Sequence, residues 1–236
     1  MSTTAYSSGL DRTPANHVPL TPLGFLDRSA DVYPDRVAVI HGELRQTWSQ
    51  TRDRCYRMAS ALAGRGVQRG DTVAIIAPNT PAMLEAHFGV PLAGAVLNSI
   101  NCRLDAEGVA FILRHGEAKI LLVDSEFAAL AARAVERLEN PPLLIDIHDS
   151  MGPDAAPIGV IDYESLLASG DPAFEGVWPI DEWEPIALNY TSGTTGDPKG
   201  VVPSHRFNDE LTVLQNFTGD PGDPEKTLKR DRKSVV

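Results

Sequence analysis

A dense cluster of hydroxyl, glycine and lysine residues runs from Thr191 to Gly200. These ten positions hold four hydroxyl residues, three glycines and one lysine. Glycines allow the backbone to fold tightly enough to direct several N–H groups at one anion. Hydroxyl groups add donors that rotate to suit a ligand, and lysine adds a positive charge suited to phosphate oxygens. The pattern therefore predicts a loop that binds a polyphosphate such as that of ATP.

The residues expected to contact phosphate are Thr191, Ser192, Gly193, Thr194, Thr195, Gly196 and Lys199, with the lysine facing the β- and γ-phosphates. A surface hairpin turn is one alternative, because glycine, aspartate, proline and serine all favour turns. A plain turn does not require four hydroxyls and a lysine, however. A phosphotransferase is the other alternative, but its phosphate loop places Gly-Lys-Ser/Thr in direct succession. Here Asp197 and Pro198 separate Gly196 from Lys199, so that loop would be unusual.

The cluster and its flanks resemble the signature of the adenylate-forming superfamily, which includes acyl-CoA synthetases, luciferases and peptide-synthetase adenylation domains. The match runs from Tyr190 to Arg206 almost position by position. Upstream, Gln46-Thr47-Trp48-Ser49-Gln50 resembles the first core motif of the family, and the segment from Pro91 to Leu104 resembles the second. The segment Leu97-Asn98-Ser99-Ile100-Asn101 is more similar to an acyl-CoA synthetase than to a peptide-synthetase domain.

This resemblance implies a two-step reaction that uses ATP, Mg²⁺ and CoA. A carboxylic acid attacks the α-phosphate of ATP to give an acyl-adenylate and pyrophosphate, and the thiol of CoA then displaces AMP. The small-molecule partners implied are therefore a carboxylic acid, ATP and CoA. The motifs present indicate no catalytic or metal-ligating residue.

The resemblance weakens after Arg206. The family's later adenine and Mg²⁺ motif and its C-terminal lid with a catalytic lysine do not follow. Thr218-Gly219-Asp220 resembles a later family segment in which the aspartate holds the ribose hydroxyls, so Asp220 is a candidate ribose contact. The last six residues, 231–236, instead match what a sequencing adapter would encode if translated. We expect a chain that keeps the phosphate loop but cannot catalyse alone; a non-catalytic remnant or a mis-predicted gene product is the alternative.

Alternating strand-like and helix-like segments predict an α/β fold with a largely parallel sheet flanked by helices. The resemblance implies a partial N-terminal domain of the acyl-CoA synthetase-like fold over residues 20–206. A disordered lead is expected over 1–19 and a poorly ordered tail over 207–236. Strands are expected at 37–41, 44–47, 72–77, 95–100, 119–123, 143–147 and 185–189, and helices at 49–62, 81–93, 105–115, 126–138 and 163–167.

A few other residues could contact a ligand or pack in the fold. Asn101 and Arg103 follow a predicted strand and are interpreted as loop residues rather than substrate contacts. For His205, a structural role and a ligand contact both stay open. Trp178 and Trp183 are predicted to pack beneath a loop, because large aromatic residues mainly serve packing.

Composition restricts the function class and the compartment. The net charge of −11 argues against nucleic acid and anionic membrane surfaces as partners. No apolar run reaches the roughly 18 residues that a membrane span needs. Two cysteines give no disulfide framework, which together with the absence of a secretory pattern predicts a cytoplasmic protein. Because later family segments would cover part of the sheet, we expect an oligomeric or aggregation-prone chain.

Overall fold

A computed structural model describes residue 9, residues 11–191 and residues 198–207 of the chain. Its helices are α1 (Leu23–Val32), α2 (Trp48–Gly64), α3 (Pro81–Leu92), α4 (Ala106–His115), α5 (Ala128–Val135) and α6 (Tyr163–Ala168), with a 3₁₀ helix over Ser125–Phe127. Its strands are β1 (Val37–His41), β2 (Leu44–Thr47), β3 (Thr72–Ile76), β4 (Val96–Ser99), β5 (Ala118–Asp124), β6 (Leu143–Ile147), β7 (Ile161–Asp162), β8 (Asn189–Thr191) and β9 (Lys199–Val201).

Five parallel strands form the central sheet, in the order β4-β3-β5-β6-β7. Every residue of β3 is buried, as expected for a strand covered on both faces. Helices α1, α2, α3 and α6 pack on one face, and α4 and α5 pack on the other. The predicted α/β fold with a largely parallel sheet flanked by helices is confirmed.

Two helices begin at residues whose side chains cap them. The hydroxyl of Thr47 accepts a hydrogen bond from the backbone N–H of Gln50, and the Gln50 side chain accepts one from the Thr47 N–H. This reciprocal capping box fixes the point at which β2 passes into α2. Asp105 caps α4 by accepting from the Gly108 N–H at 2.9 Å.

The structure differs from the sequence-based assignment in several places. The helix expected at 126–138 is a 3₁₀ turn followed by the shorter α5. Helix α1 and strand β7 were not predicted. In the segment expected as a strand over 185–189, only Asn189 belongs to β8, whereas Ala187 forms a single parallel bridge to Leu97 of β4. The proposed tail beyond Phe207 lies outside the described residues.

Candidate functional site

Strands β8 and β9 form an antiparallel hairpin whose arms are joined by residues 192–198. The register places Tyr190 opposite Gly200 and Thr191 opposite Lys199. The predicted phosphate contacts Thr191 and Lys199 are therefore brought together at the two ends of the connecting segment. A surface hairpin, the first alternative to a phosphate loop, is therefore present. The same hairpin could also carry a phosphate loop between its strands. Five of the predicted contacts, Ser192 to Gly196, lie outside the described residues, as does Asp220.

The two faces of this hairpin have different surroundings. Thr191 and Lys199 are exposed, whereas Tyr190, which directly precedes Thr191 in β8, is half-buried. Successive side chains of a strand point to opposite faces, and directly paired residues share a face. Thr191 and Lys199 thus share the solvent-facing side of the hairpin, with a hydroxyl donor and an ammonium group next to each other.

The segment that leads into β8 is fixed to the edge of the central sheet. The Leu97 N–H donates to the Ile186 carbonyl at 3.1 Å, and the Leu188 N–H donates to the Leu97 carbonyl at 2.8 Å. The side-chain amide of Asn98 donates to the Leu188 carbonyl at 2.6 Å. Both backbone polar groups of Leu188 are therefore bonded to β4, three residues before Thr191.

The segment after β9 is fixed to the N-terminal part of the chain. The Ile186 N–H donates to the Pro203 carbonyl at 3.0 Å, which continues the pairing of the two arms. His205 is buried, and its Nδ1 lies 2.8 Å from the Thr21 hydroxyl. The backbone N–H of His205 donates to the Glu184 carbonyl. Burial lowers the pKa of His205 to about 4, so the imidazole is neutral at pH 7. These contacts give His205 a structural role.

Of the other residues that the sequence suggested, Asn101 and Arg103 lie where expected, whereas the two tryptophans do not. The Asn101 side-chain oxygen accepts from the Arg103 N–H at 3.0 Å, and both residues are exposed, as expected for a loop. The prediction that Trp183 packs beneath a loop is wrong. Its side chain is 67% exposed, and the guanidinium of Arg206 lies over its ring at 5.7 Å. Trp178 is also exposed, and its indole N–H donates to the Glu175 carbonyl.

A cavity of about 390 Å³, which the sequence did not reveal, lies between the β1–β2 hairpin, the start of α3 and the start of α6. None of its lining residues belongs to the β8–β9 hairpin. Two polar pairs lie in its wall: His41 Nε2 is 2.8 Å from an Asp149 oxygen, and Arg54 is 2.6 Å from Glu164. Within the described part of the chain, no group of three or more His, Cys, Asp or Glu residues could hold a metal ion.

A protein-family model described as AMP-binding enzyme matches residues 26–220. A peroxisomal acetate/butyrate–CoA ligase of Arabidopsis thaliana is 53% identical over 209 residues, which cover 84% of this chain and 37% of the relative. An acetate–CoA ligase of Humulus lupulus is 50% identical, with the same coverage. A peroxisomal benzoate–CoA ligase of Arabidopsis thaliana is 49% identical and covers 81% of this chain and 35% of the relative.

Solved structures show the same fold. An anthranilate CoA ligase in complex with anthranoyl-AMP superposes with a TM-score of 0.75 at 23% identity, covering 85% of this chain and 38% of the ligase. A benzoate CoA ligase from Burkholderia xenovorans LB400 gives a TM-score of 0.70 at 21% identity, covering 85% and 37%. The chain thus spans little more than a third of the length of these proteins.

Two further expectations concern location and partners. Among the described residues, no helix has the length and apolar character of a membrane span. Two of the relatives above are named peroxisomal, so the expected cytoplasmic location stays a prediction. Oligomerisation is likewise a prediction that none of these comparisons tests.

Proposed function

We propose that the β8–β9 hairpin binds the β- and γ-phosphates of ATP in an acyl-CoA ligase reaction. The chain belongs to the family of AMP-binding enzymes, which supports this proposal. The observation that carries this proposal is the pairing of Thr191 with Lys199 on the exposed face of the hairpin, at the ends of a segment rich in glycine and hydroxyl groups. A tight loop with hydroxyl donors and one ammonium group is suited to a polyphosphate.

In this proposal, the chain's own residues act on the leaving group rather than on the acid. When the carboxylate attacks the α-phosphate, negative charge accumulates on the departing pyrophosphate. The Lys199 ammonium and the Thr191 hydroxyl would stabilise that charge through charge-assisted and neutral hydrogen bonds. Mg²⁺, bound with ATP, would supply further charge neutralisation. Coenzyme A would enter only in the second step, as the acceptor of the acyl group.

The relatives support a small carboxylic acid as the substrate class of the whole protein. Those reported above are named for acetate, butyrate and benzoate. The present chain covers 37% of the first two and 35% of the third. We therefore propose acid activation as the function of the whole protein and phosphate binding as the contribution of this part.

The test is a calorimetric titration of the chain with ATP, pyrophosphate and AMP. Replacing Lys199 by alanine should weaken binding of ATP and pyrophosphate by about 1.5–3 kcal/mol, the range for a charge-assisted hydrogen bond, and should leave AMP binding nearly unchanged. Lys119→Ala is the matched control, because it removes the same charge from a lysine that pairs with Asp71 instead. An equal loss of affinity for ATP and AMP would exclude Lys199 from this role.

A further inference from the structure

Tyr190 is the residue through which the hairpin contacts helix α4. Its hydroxyl lies 2.7 Å from Nδ1 of His115, the last residue of α4. Its ring meets the rings of Phe111 and His115 edge-on, at centroid distances of 6.4 and 5.6 Å. Phe111 and His115 are themselves stacked at 5.5 Å. The three rings form one cluster between the helix and the hairpin, which we name the Tyr190 cluster.

Two glycines lie beside Tyr190 and Leu188 at this contact. A Cβ atom on Gly116 would lie 3.4 Å from the Tyr190 hydroxyl and 3.1 Å from a methyl group of Leu188. A Cβ atom on Gly200 would lie 3.7 Å from the Tyr190 ring and 3.1 Å from the other methyl group of Leu188. The 3.1 Å distances to Leu188 are tighter than most side-chain contacts, whereas the distances to Tyr190 are ordinary van der Waals contacts. Leu188, directly before the hairpin, is therefore packed closely against both glycines.

The hydrogen bond joins the Tyr190 hydroxyl to Nδ1 of His115. Burial raises the pKa of the Tyr190 hydroxyl, so the phenol stays protonated and can donate. The phenol oxygen can either donate to Nδ1 of His115 or accept from an Nδ1–H, according to the tautomer of the imidazole. The side chain of Tyr190 is thus held by both a directional bond and ring contacts, whereas Thr191 and Lys199 on the opposite face are exposed.

We propose that Tyr190 is a positioning residue for the phosphate-binding pair Thr191 and Lys199, and that His115 holds Tyr190 in place. Tyr190 directly precedes Thr191, and its cross-strand partner Gly200 directly follows Lys199. Fixing this one pair therefore sets the position of both arms from which the connecting segment departs. The inference rests on the proposed function, because it assigns Tyr190 a role in the binding of phosphate.

The test uses two variants that keep the rings and remove the hydrogen bond, Tyr190→Phe and His115→Phe. Each should weaken pyrophosphate binding about 3- to 10-fold, the ratio expected for one net hydrogen bond. The double variant should be no weaker than either single one, because both changes remove the same bond. Affinity for AMP and the urea midpoint should change little. His87→Phe is the control, since His87 is exposed and its Nδ1 contacts the Met83 carbonyl of its own helix.

A second readout does not depend on ligand binding. Hydrogen exchange of the backbone amides in residues 189–201 should become about 3- to 10-fold faster in both variants, while exchange in β3 and β5 stays unchanged. Unchanged exchange in the hairpin would overturn the inference, as would equal acceleration throughout the chain. If the wild-type chain binds no pyrophosphate, the proposed function fails, and the hairpin exchange alone then decides the role of Tyr190.

Discussion

Glu85 of α3 is a fully buried carboxylate that joins four elements of the fold. One of its oxygens accepts hydrogen bonds from Arg54 Nε of α2 at 2.7 Å and from the Gln46 amide of β2 at 3.1 Å. The other oxygen accepts from the Tyr163 hydroxyl of α6 at 2.6 Å. We predict that this carboxylate is among the largest single contributors to the stability of the chain.

The magnitude follows from what each substitution leaves behind. Glu85→Ala leaves the Arg54, Gln46 and Tyr163 donors without this acceptor. Breaking a buried ion pair costs about 3–5 kcal/mol, an upper bound here because Arg54 keeps its bonds to Glu164. Glu85→Gln keeps the shape, and the Tyr163 hydroxyl can rotate to accept from the new amide, so the loss should be smaller, about 1–3 kcal/mol. Typical domains unfold at a cost of about 5–15 kcal/mol, so the alanine variant should be strongly destabilised.

Glu164 provides a matched control because it binds the same guanidinium from the solvent side. Its oxygens accept from Arg54 Nη1 and Nη2 at 2.8 and 2.6 Å, but its side chain is 68% exposed. Exposed ion pairs contribute at most about 1 kcal/mol. Urea unfolding of the full chain, followed by circular dichroism, should therefore rank Glu85→Ala as most costly, then Glu85→Gln, then Glu164→Ala. A cost for Glu164→Ala as large as that for Glu85→Ala would refute the reasoning.

Three further changes have directions that the structure sets. Gly170→Ala should lower the melting temperature markedly, because its Cβ would lie 2.0 Å from the Arg57 carbonyl oxygen; Gly64→Ala, with no atom within 4 Å, should not. The free energy of unfolding should fall as the pH drops from about 6.5 to about 4, because His205 is protonated more readily in the unfolded chain than in the folded one. His205 should account for at most about 3 kcal/mol of this fall. In urea titrations across this pH range, His205→Gln should reduce the dependence of the free energy of unfolding on pH. The chain alone should show no acid-dependent ATP–pyrophosphate exchange, since it covers 37% of the acetate/butyrate–CoA ligase; clear exchange with acetate, butyrate or benzoate would contradict this.

The central sheet and its helix caps were predictable because their signals are local. An unbroken apolar run gives β3, and a hydroxyl or carboxylate residue before a helical pattern gives the starts of α2 and α4. Helix α1 lacks such a signal, since its N-cap position is Pro22 and no side chain caps it. The two-residue strand β7 is too short for any periodic pattern and exists because it pairs with β6.

The site was predictable in its residue types but not in its supports. The spacing of hydroxyls, glycines and Lys199 indicates phosphate binding without any knowledge of the fold. The contact between Tyr190 and His115 joins residues 75 positions apart, and Glu85 meets Tyr163 across 78 positions. Nothing in either local sequence specifies such a partner. Long-range polar contacts of this kind appear only when the packing of the elements is known.

The hairpin that carries Thr191 and Lys199 is attached to the rest of the fold rather than built into its core. Before β8, Leu188 is bonded to Leu97 and Asn98 of β4. At β8, the Tyr190 cluster holds the hairpin to α4. After β9, the contact between His205 and Thr21 holds it to the segment before α1. Among the described residues, these contacts link the core to Thr191 and Lys199 without passing through the connecting segment. A variant at one of them should therefore be able to weaken pyrophosphate binding while the free energy of unfolding stays constant.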